Sequence, residues 1–489
     1  MVTLKQKTIN GMFWTISSRL SVQIVQLAVS IILARLLVPS EFGLIGMLTI
    51  FTALSQAILD GGFGSALIQK KESDQTDSSS IFYINILIGI LLAITLILGA
   101  PLIASFYQQP ILAPMLRVLS LSLIINSFSL VQTSLLTKNM DFKAQFKVQF
   151  LAVSLSGLIG ITLAYLGYGV WSLVIQSVTN YLFRAILLWL ISNWRPTREF
   201  SWSSLKSMFS FGSKLLFSSL LYTFFNNIYE AFIGKVYSVT EVGYFTRAST
   251  FETAATMATS QPIDQVTFPA LAPLQDNDIV LKQAYRKAIK LSQFLHFPLM
   301  IGLITVAQPL FLLILTEKWA PSIPYFQLLC VVGLLTPLQN LNLNILKVKG
   351  RSDLVFKLEI IKRFNLIVAI AITFRWGIMA LIIGKVITAF IAYFLNSSYS
   401  GKLVGYGQID QIKDISPSLI TALIMGMIMY LVNFLSISTN FLKLVVEMIM
   451  GVSVYYLLNM LIHSPELYET KGIITNYINS GLKRIRKRV

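Results

Sequence analysis

Arg19, Gln23, Gln26 and Ser30 follow one another at steps of four, three and four residues. On a helix they share one face. The residues around them are apolar, so a cation and two amides stand in a stretch that would otherwise suit hydrocarbon. The same mixture recurs further along. Asp60 sits beside Gly61, Gly62 and Gly64; Lys214, Ser218, Tyr222, Asn226 and Asn227 interrupt an apolar run, with Glu230 beyond; Arg247, Glu252 and Asp264 interrupt the next. Arg184 and Lys385 stand alone in apolar surroundings. Ionisable groups in such places are costly and mark binding or conduction sites by default. A guanidinium or ammonium there suits an anionic headgroup such as a phosphate. Arg19, Gln23, Gln26, Lys214, Asn226, Arg247 and Lys385 are therefore the candidate substrate-binding residues. Asp60, Glu252 and Asp264 are the candidates for binding a coupling cation, the alternative being that they neutralise the arginines. Arg247 and Glu252, five residues apart, lie about 140° apart around a helix and do not share a stripe. Lys214 and Arg184 also fit the pattern of long cations that reach toward an interface.

Little else in the chain offers chemistry. His296 and His463 are too few and too far apart for a metal site, and Cys330, the single cysteine, lies in the apolar run FQLLCVVGLL and reads as a small buried hydrophobe. The glycines after Asp60 follow no strand and match no phosphate-binding loop. The expectation is no catalytic residue, no metal and no cofactor.

The elements that must position these residues are membrane helices. Of 489 residues, 55% are hydrophobic and only 12% are charged, with mean hydropathy +0.71. A water-soluble fold of ordinary composition carries about twice that charge. Apolar stretches near the ~20 residues needed to cross a bilayer fall at 12–34, 42–67, 80–106, 112–136, 146–166, 169–192, 208–234, 243–266, 288–315, 322–346, 357–374, 377–397, 415–436 and 440–462. The eighth is the least apolar. No cleavable signal peptide is evident, since the first apolar run contains Arg19 and continues too long. The net charge of +18 would ordinarily raise nucleic acid as a partner. Here the basic residues gather in alternate loops, among them Lys70, Lys138, Arg195, Arg198, Arg286 and Lys347, so loop orientation accounts for them. That asymmetry puts both termini in the cytoplasm, supports the eighth span, and leaves the tail ending KRIRKRV as a solvated inner terminus or one resting on anionic headgroups.

The chain also repeats itself. Residues 34–43, ARLLVPSEFG, align with 234–243, GKVYSVTEVG, at a shift of 200; Pro101-Leu102, Ala113-Pro114, Phe146-Lys147 and 169–173 recur at shifts of 207 to 210. Six spans per repeat is an even number, so both repeats enter from the same side and are related by an axis along the membrane normal. The predicted architecture is an all-α integral membrane protein of about fourteen transmembrane helices. It comprises an N-lobe at 1–200, a C-lobe at 201–400, and an extra helix pair with a basic tail at 401–489.

Several stretches resemble a known family. LARLLVPSEFGLIGM, DGGFGSALIQKKE, GYFTRA, VTFPALAPLQDN, LTEKWAPSIPYFQLLCVVGLL and LKVKGRSDLVFKLE, with LKQKTINGMFW at the start, are similar to the polysaccharide transporter family of Wzx-type, colanic-acid-exporter-like flippases, over roughly residues 1–400. The resemblance implies the multidrug/oligosaccharidyl-lipid/polysaccharide exporter fold of two six-helix lobes. It implies export of undecaprenyl-pyrophosphate-linked oligosaccharide units across the bacterial inner membrane for exopolysaccharide, capsule or O-antigen synthesis, with cavity cations for which Arg19 and Arg247 are the candidates here. Coupling to a proton or sodium ion and association with a glycan polymerase would follow. The competing expectations are a membrane glycan polymerase or ligase, which would need a large outer loop that the sequence lacks, and a drug or peptidoglycan-precursor exporter of the same fold.

Overall fold

The computed structural model describes residues 21–70, 74–435 and 439–472. Every regular element among them is helical. In order these are α1 (Ser21–Leu36), α2 (Pro39–Asp60), α3 (Phe63–Gln69), α4 (Gln75–Tyr107), α5 (Leu112–Ser127), α6 (Leu130–Lys138), α7 (Phe142–Tyr165), α8 (Val170–Ile191), α9 (Trp202–Asn226), α10 (Ile228–Val236), α11 (Val239–Leu271), α12 (Asp278–Ile314), α13 (Ile323–Val348), α14 (Ser352–Thr373), α15 (Ile378–Val404), α16 (Gln408–Leu431), α17 (Asn440–Leu461) and a short α18 at 465–472. Nine spans, α2–α3 counted as one, are long and apolar enough among the described residues to cross a membrane; α5 and α6, bent by 44°, make a tenth if taken together. Over the described residues each of the other expected spans also falls on helix, the first from residue 21 onward, so an architecture of about fourteen spans is compatible with the structure.

The helix ends follow from the sequence. Asp74 accepts the amide of Asp77, whose carboxylate accepts the amide of Asp74 in return, and this reciprocal pair starts α4. Asp141, Ser201, Asn277 and Thr439 cap α7, α9, α12 and α17 through their side-chain oxygens. Pro39 opens α2, and Glu41 accepts the amide of Val38 at 2.8 Å.

The chain divides into two compact units, 1–246 and 247–489. In the first, α7 packs along α8 and α4 along α5, while α2 contacts α5, α8, α9 and α10. In the second, α12 lies against α13, α16 and α17, and α13 against α15. The core of this second unit gathers Tyr285, Ile289, Phe297, Leu338, Leu341, Ile345, Tyr393 and Tyr406.

Within the first unit the repeat becomes geometry. A Cβ placed on Gly43 would stand 1.8 Å from the carbonyl oxygen of Val239, and one placed on Gly243 would stand 1.9 Å from that of Pro39. Position 43 is equivalent to 243 and 39 to 239 at the shift of 200. The two segments therefore meet reciprocally, each glycine receiving the other's first helical carbonyl. Gly46 continues the contact against Val242 and Thr246. Only small residues permit backbones to approach this closely.

Candidate functional site

One of the charged candidates, Asp60, lies where a helix is interrupted. Gly61 and Gly62 both adopt left-handed backbone, φ 47° and 71°, and break the second span between α2 and α3. Such conformations favour glycine, and a side chain on Gly62 would also strike the backbone of Gly212 in α9. Asp60 is the last residue before the break. The Arg184 guanidinium of α8 acts on its charge through space, and Tyr181 lies close enough to sense the same carboxylate. Arg184 is half-buried and donates weakly to Thr133 at 3.4 Å. Its guanidinium lies within electrostatic range of the carboxylate at the helix break. Amide pairs extend the polar interior, with Asn126 donating to Gln56 at 2.8 Å and Asn180 to Ser156 at 3.1 Å.

The seventh span is likewise interrupted, at Asn227 between α9 and α10, where Asn227 donates to the Thr223 carbonyl at 2.8 Å. Asn226 is exposed at that break. Gln23 is half-buried on α1 and Gln26 exposed. Lys214 lies on α9 with its side chain outside the described residues, and Arg19 lies outside them altogether.

In the second unit α11 carries Arg247, Glu252 and Asp264 on different sides. Arg247 is buried, its guanidinium 5.4 Å from the ring centre of the buried Trp319. This arrangement suits a cation held over an aromatic face. One turn and a half further, Glu252 accepts from Thr256 at 2.7 Å and faces Gly333 of α13, where a Cβ would sit 2.7 Å from its carboxylate oxygen. Lys385 of α15 acts on the Glu252 charge, so two candidates chosen separately from sequence share one environment. Asp264 accepts from Asn340 at 2.7 Å, with Lys347 in electrostatic range.

Two features were not anticipated. His296, fully buried, bridges α11 and α13: its Nε2 donates to the Gly333 carbonyl at 2.9 Å and its Nδ1 meets the Thr259 hydroxyl at 2.6 Å. The Gly333 carbonyl is available because the residue four positions on is Pro337, which has no N–H to offer it. The same logic operates at Pro298, whose orphaned partner, the Phe294 carbonyl, accepts the Tyr455 hydroxyl at 2.8 Å. Second, a buried amide network joins four helices. Asn342 and Gln411 exchange hydrogen bonds at 3.0 and 3.1 Å, Tyr285 donates to Asn342 at 2.8 Å, and Ser400 donates to the same oxygen. Tyr406 and Arg286 then hold Asp414. A proline spaced four residues after a carbonyl was a readable signal for the first; the second has no local signature. No cluster of three or more metal-ligating side chains occurs among the described residues.

An all-α bundle with many apolar spans and ionisable groups placed within them is a multi-pass integral membrane protein of the transporter class. Residues 32–324 match the model of the family described as polysaccharide biosynthesis protein, and the chain belongs to that family. It is 28% identical over 472 residues to the teichuronic acid biosynthesis protein TuaB of Bacillus subtilis strain 168, covering 93% of this chain and 94% of that one. It is 27% identical over 405 residues to the lipopolysaccharide biosynthesis protein WzxC of Escherichia coli strain K12, covering 82% and 81%. In three dimensions it resembles the lipid II flippase MurJ in an inward closed conformation, with TM-score 0.75 and 16% identity over 92% of this chain and 99% of that one, a likeness of fold.

Proposed function

We propose that this protein carries lipid-linked oligosaccharide units, built on an undecaprenyl pyrophosphate, from the inner to the outer leaflet of the bacterial cell membrane for polysaccharide synthesis. The observation that carries the reading is a span broken at Gly61 and Gly62, with the Asp60 carboxylate at the break and the Arg184 guanidinium in electrostatic range, in a chain of the polysaccharide biosynthesis family. Discontinuous helices of this kind are where transporters place their substrate and ion sites. A pyrophosphate and several sugars cannot enter hydrocarbon unaided, and fixed polar groups inside the bundle would replace the water they lose. The prenyl chain can stay in lipid throughout.

In this reading two six-span lobes, 1–200 and 201–400, alternate in exposing a polar path. Arg19, Gln23, Gln26, Lys214, Asn226, Arg247 and Lys385 contribute to holding the substrate, and Asp60, Glu252 and Asp264 to binding a proton or sodium ion. The termini lie in the cytoplasm, and a glycan polymerase takes up the product. The test is the sidedness of lipid-linked oligosaccharides in cells lacking the protein. Intact units accumulating on the cytoplasmic leaflet, and clearing when the gene is restored, support the flippase. Units that reach the outer leaflet but stay unpolymerised would instead identify a polymerase.

A further inference from the structure

The first unit contains an apolar groove that none of these roles uses. It has a volume of about 480 Å³ and is lined by Phe63, Ile84, Ile88, Trp202, Leu205, Lys206 and Phe209. That volume is within the range of small-molecule pockets, roughly 300–1,000 Å³. Its position relative to the polar boundary is fixed by hydrogen bonds. The segment 193–201 is stapled to the first turns of α4: Thr197 N donates to Ser79 at 3.0 Å, Ser201 N to Ser80 at 2.8 Å, and the Tyr83 hydroxyl to the Thr197 carbonyl at 2.9 Å. Those turns are hydrophilic. Ile84 and Ile88 occupy the next two turns, where α4 becomes continuously apolar. On the facing helix, Trp202 opens α9, Lys206 follows one turn later and Phe209 comes one turn deeper, its ring 6.4 Å from that of Phe63. The groove therefore starts at the polar boundary and runs into hydrocarbon depth.

Its chemistry is divided in the same way. Trp202 and Lys206 are exposed, and the lysine is the one charged residue in the lining. Among the described residues no carboxylate pairs with Lys206; the nearby carboxylate of Asp77 is already held by Lys70, and that of Glu199 by Thr76. Arg198, exposed on the adjoining segment, adds positive potential. Tryptophan and lysine at this level are interfacial anchors, and lysine there attracts anionic lipid.

We propose that this groove is a binding site for an anionic glycerophospholipid, with one acyl chain between α4 and α9 and the phosphodiester on Lys206. A single lysine matches the single charge of a phosphodiester. A pyrophosphate would call for more cations than the lining provides. The site is independent of the transport reading and would exist in a protein of any transport substrate.

The experiment is native mass spectrometry of the full chain released from detergent, titrated with phosphatidylglycerol or with phosphatidylethanolamine of the same acyl composition. The wild type is expected to retain phosphatidylglycerol in preference. Lys206→Gln should weaken that retention about fivefold, the effect of one basic residue at an anionic surface, and Lys206→Arg should keep it. Ile88→Trp, which fills the groove without touching charge, should release both lipids while the protein stays monodisperse. Equal retention of the two lipids by the wild type, unchanged retention in Lys206→Gln, or displacement of phosphatidylglycerol by soluble glycerol phosphate would each overturn the assignment. So would stronger retention of a prenyl pyrophosphate than of phosphatidylglycerol.

Discussion

Replacing Gly243 by alanine asks α2 and α11 to part. The added carbon would sit 1.9 Å from the Pro39 carbonyl oxygen, where ordinary contact begins near 3.4 Å, a shortfall of about 1.5 Å. The obstacle is backbone, so no side chain can swing aside. Overpacking of this kind costs about 1–3 kcal/mol. Alanine's better helix propensity is gained in the crossed and open arrangements alike, so the bias against the crossed one stays at about 1–3 kcal/mol. That is about a five- to 150-fold shift toward any conformation in which the crossing is open. Met47, 1% exposed and packed on Gly234 just beyond the crossing, is a reporter. With Cys330→Ser to remove the only native thiol, the Met47→Cys side chain should react with a small water-soluble maleimide about five to 150 times faster in Gly243→Ala than in its parent. Gly43→Ala should act alike, because its obstacle at 1.8 Å is the equivalent carbonyl. The double variant should fall well short of the product of the two, since the same contact is lost only once. Labelling unchanged by either substitution, or effects that multiply, would refute the reciprocal crossing.

Other outcomes follow from the buried polar groups. His296→Leu leaves both the Gly333 carbonyl and the Thr259 hydroxyl without their partner and should cost about 1–3 kcal/mol in unfolding experiments; adding Pro337→Ala, which supplies the missing N–H, should recover part of it. Asp60→Asn and Arg184→Gln should each reduce polysaccharide export more than the two together, because each single change strands the opposite charge; equal or additive losses would show that the two do not act on one another. Outside the spans, Glu466 feels burial, which favours its neutral form, but hydrogen bonds from Lys290 and Ser464 prevail and hold its carboxyl below the usual glutamate range. A depressed value stabilises the fold above the unfolded glutamate pKa and the benefit is lost as pH falls through the folded one. The melting temperature of the wild type should therefore decline on acidification below about pH 4.5 more steeply than that of Glu466→Gln.

Composition and hydropathy were enough to place the helices, because lipid demands long apolar runs and leaves few ways to satisfy a backbone inside them. Even the weakly apolar eighth span, kept on the strength of loop charge, is the 33-residue helix α11. The glycines after Asp60 were visible, and in the structure they both break the helix and let the backbone of Gly212 come close. Partnerships were not legible. Arg184 read as a cation reaching for the interface, and its guanidinium comes within electrostatic range of Asp60, more than 120 residues away in sequence. His296 was set aside as a metal ligand and proved to be a hydrogen-bonding bridge, its acceptor created by a proline on another helix. Arg247 read as a cation for an anionic headgroup, and its guanidinium lies 5.4 Å from the ring centre of Trp319. In each case the side chain's type was visible, while its neighbour depended on how distant helices pack, which no local period encodes.

The amide network in the second unit bears on how such chains can be recombined. Tyr285, Asn342, Ser400 and Gln411 come from four helices spread over 127 residues of sequence, and each satisfies another in a place water does not reach. A chimera joined to a relative at any loop between α12 and α16 would bring together amides and hydroxyls that had not been selected to match. Residues 285–411 are for that reason a single unit of inheritance. Exchanges that respect it can carry the last helix to a new partner, and exchanges that cut through it should yield chains that insert but do not pack.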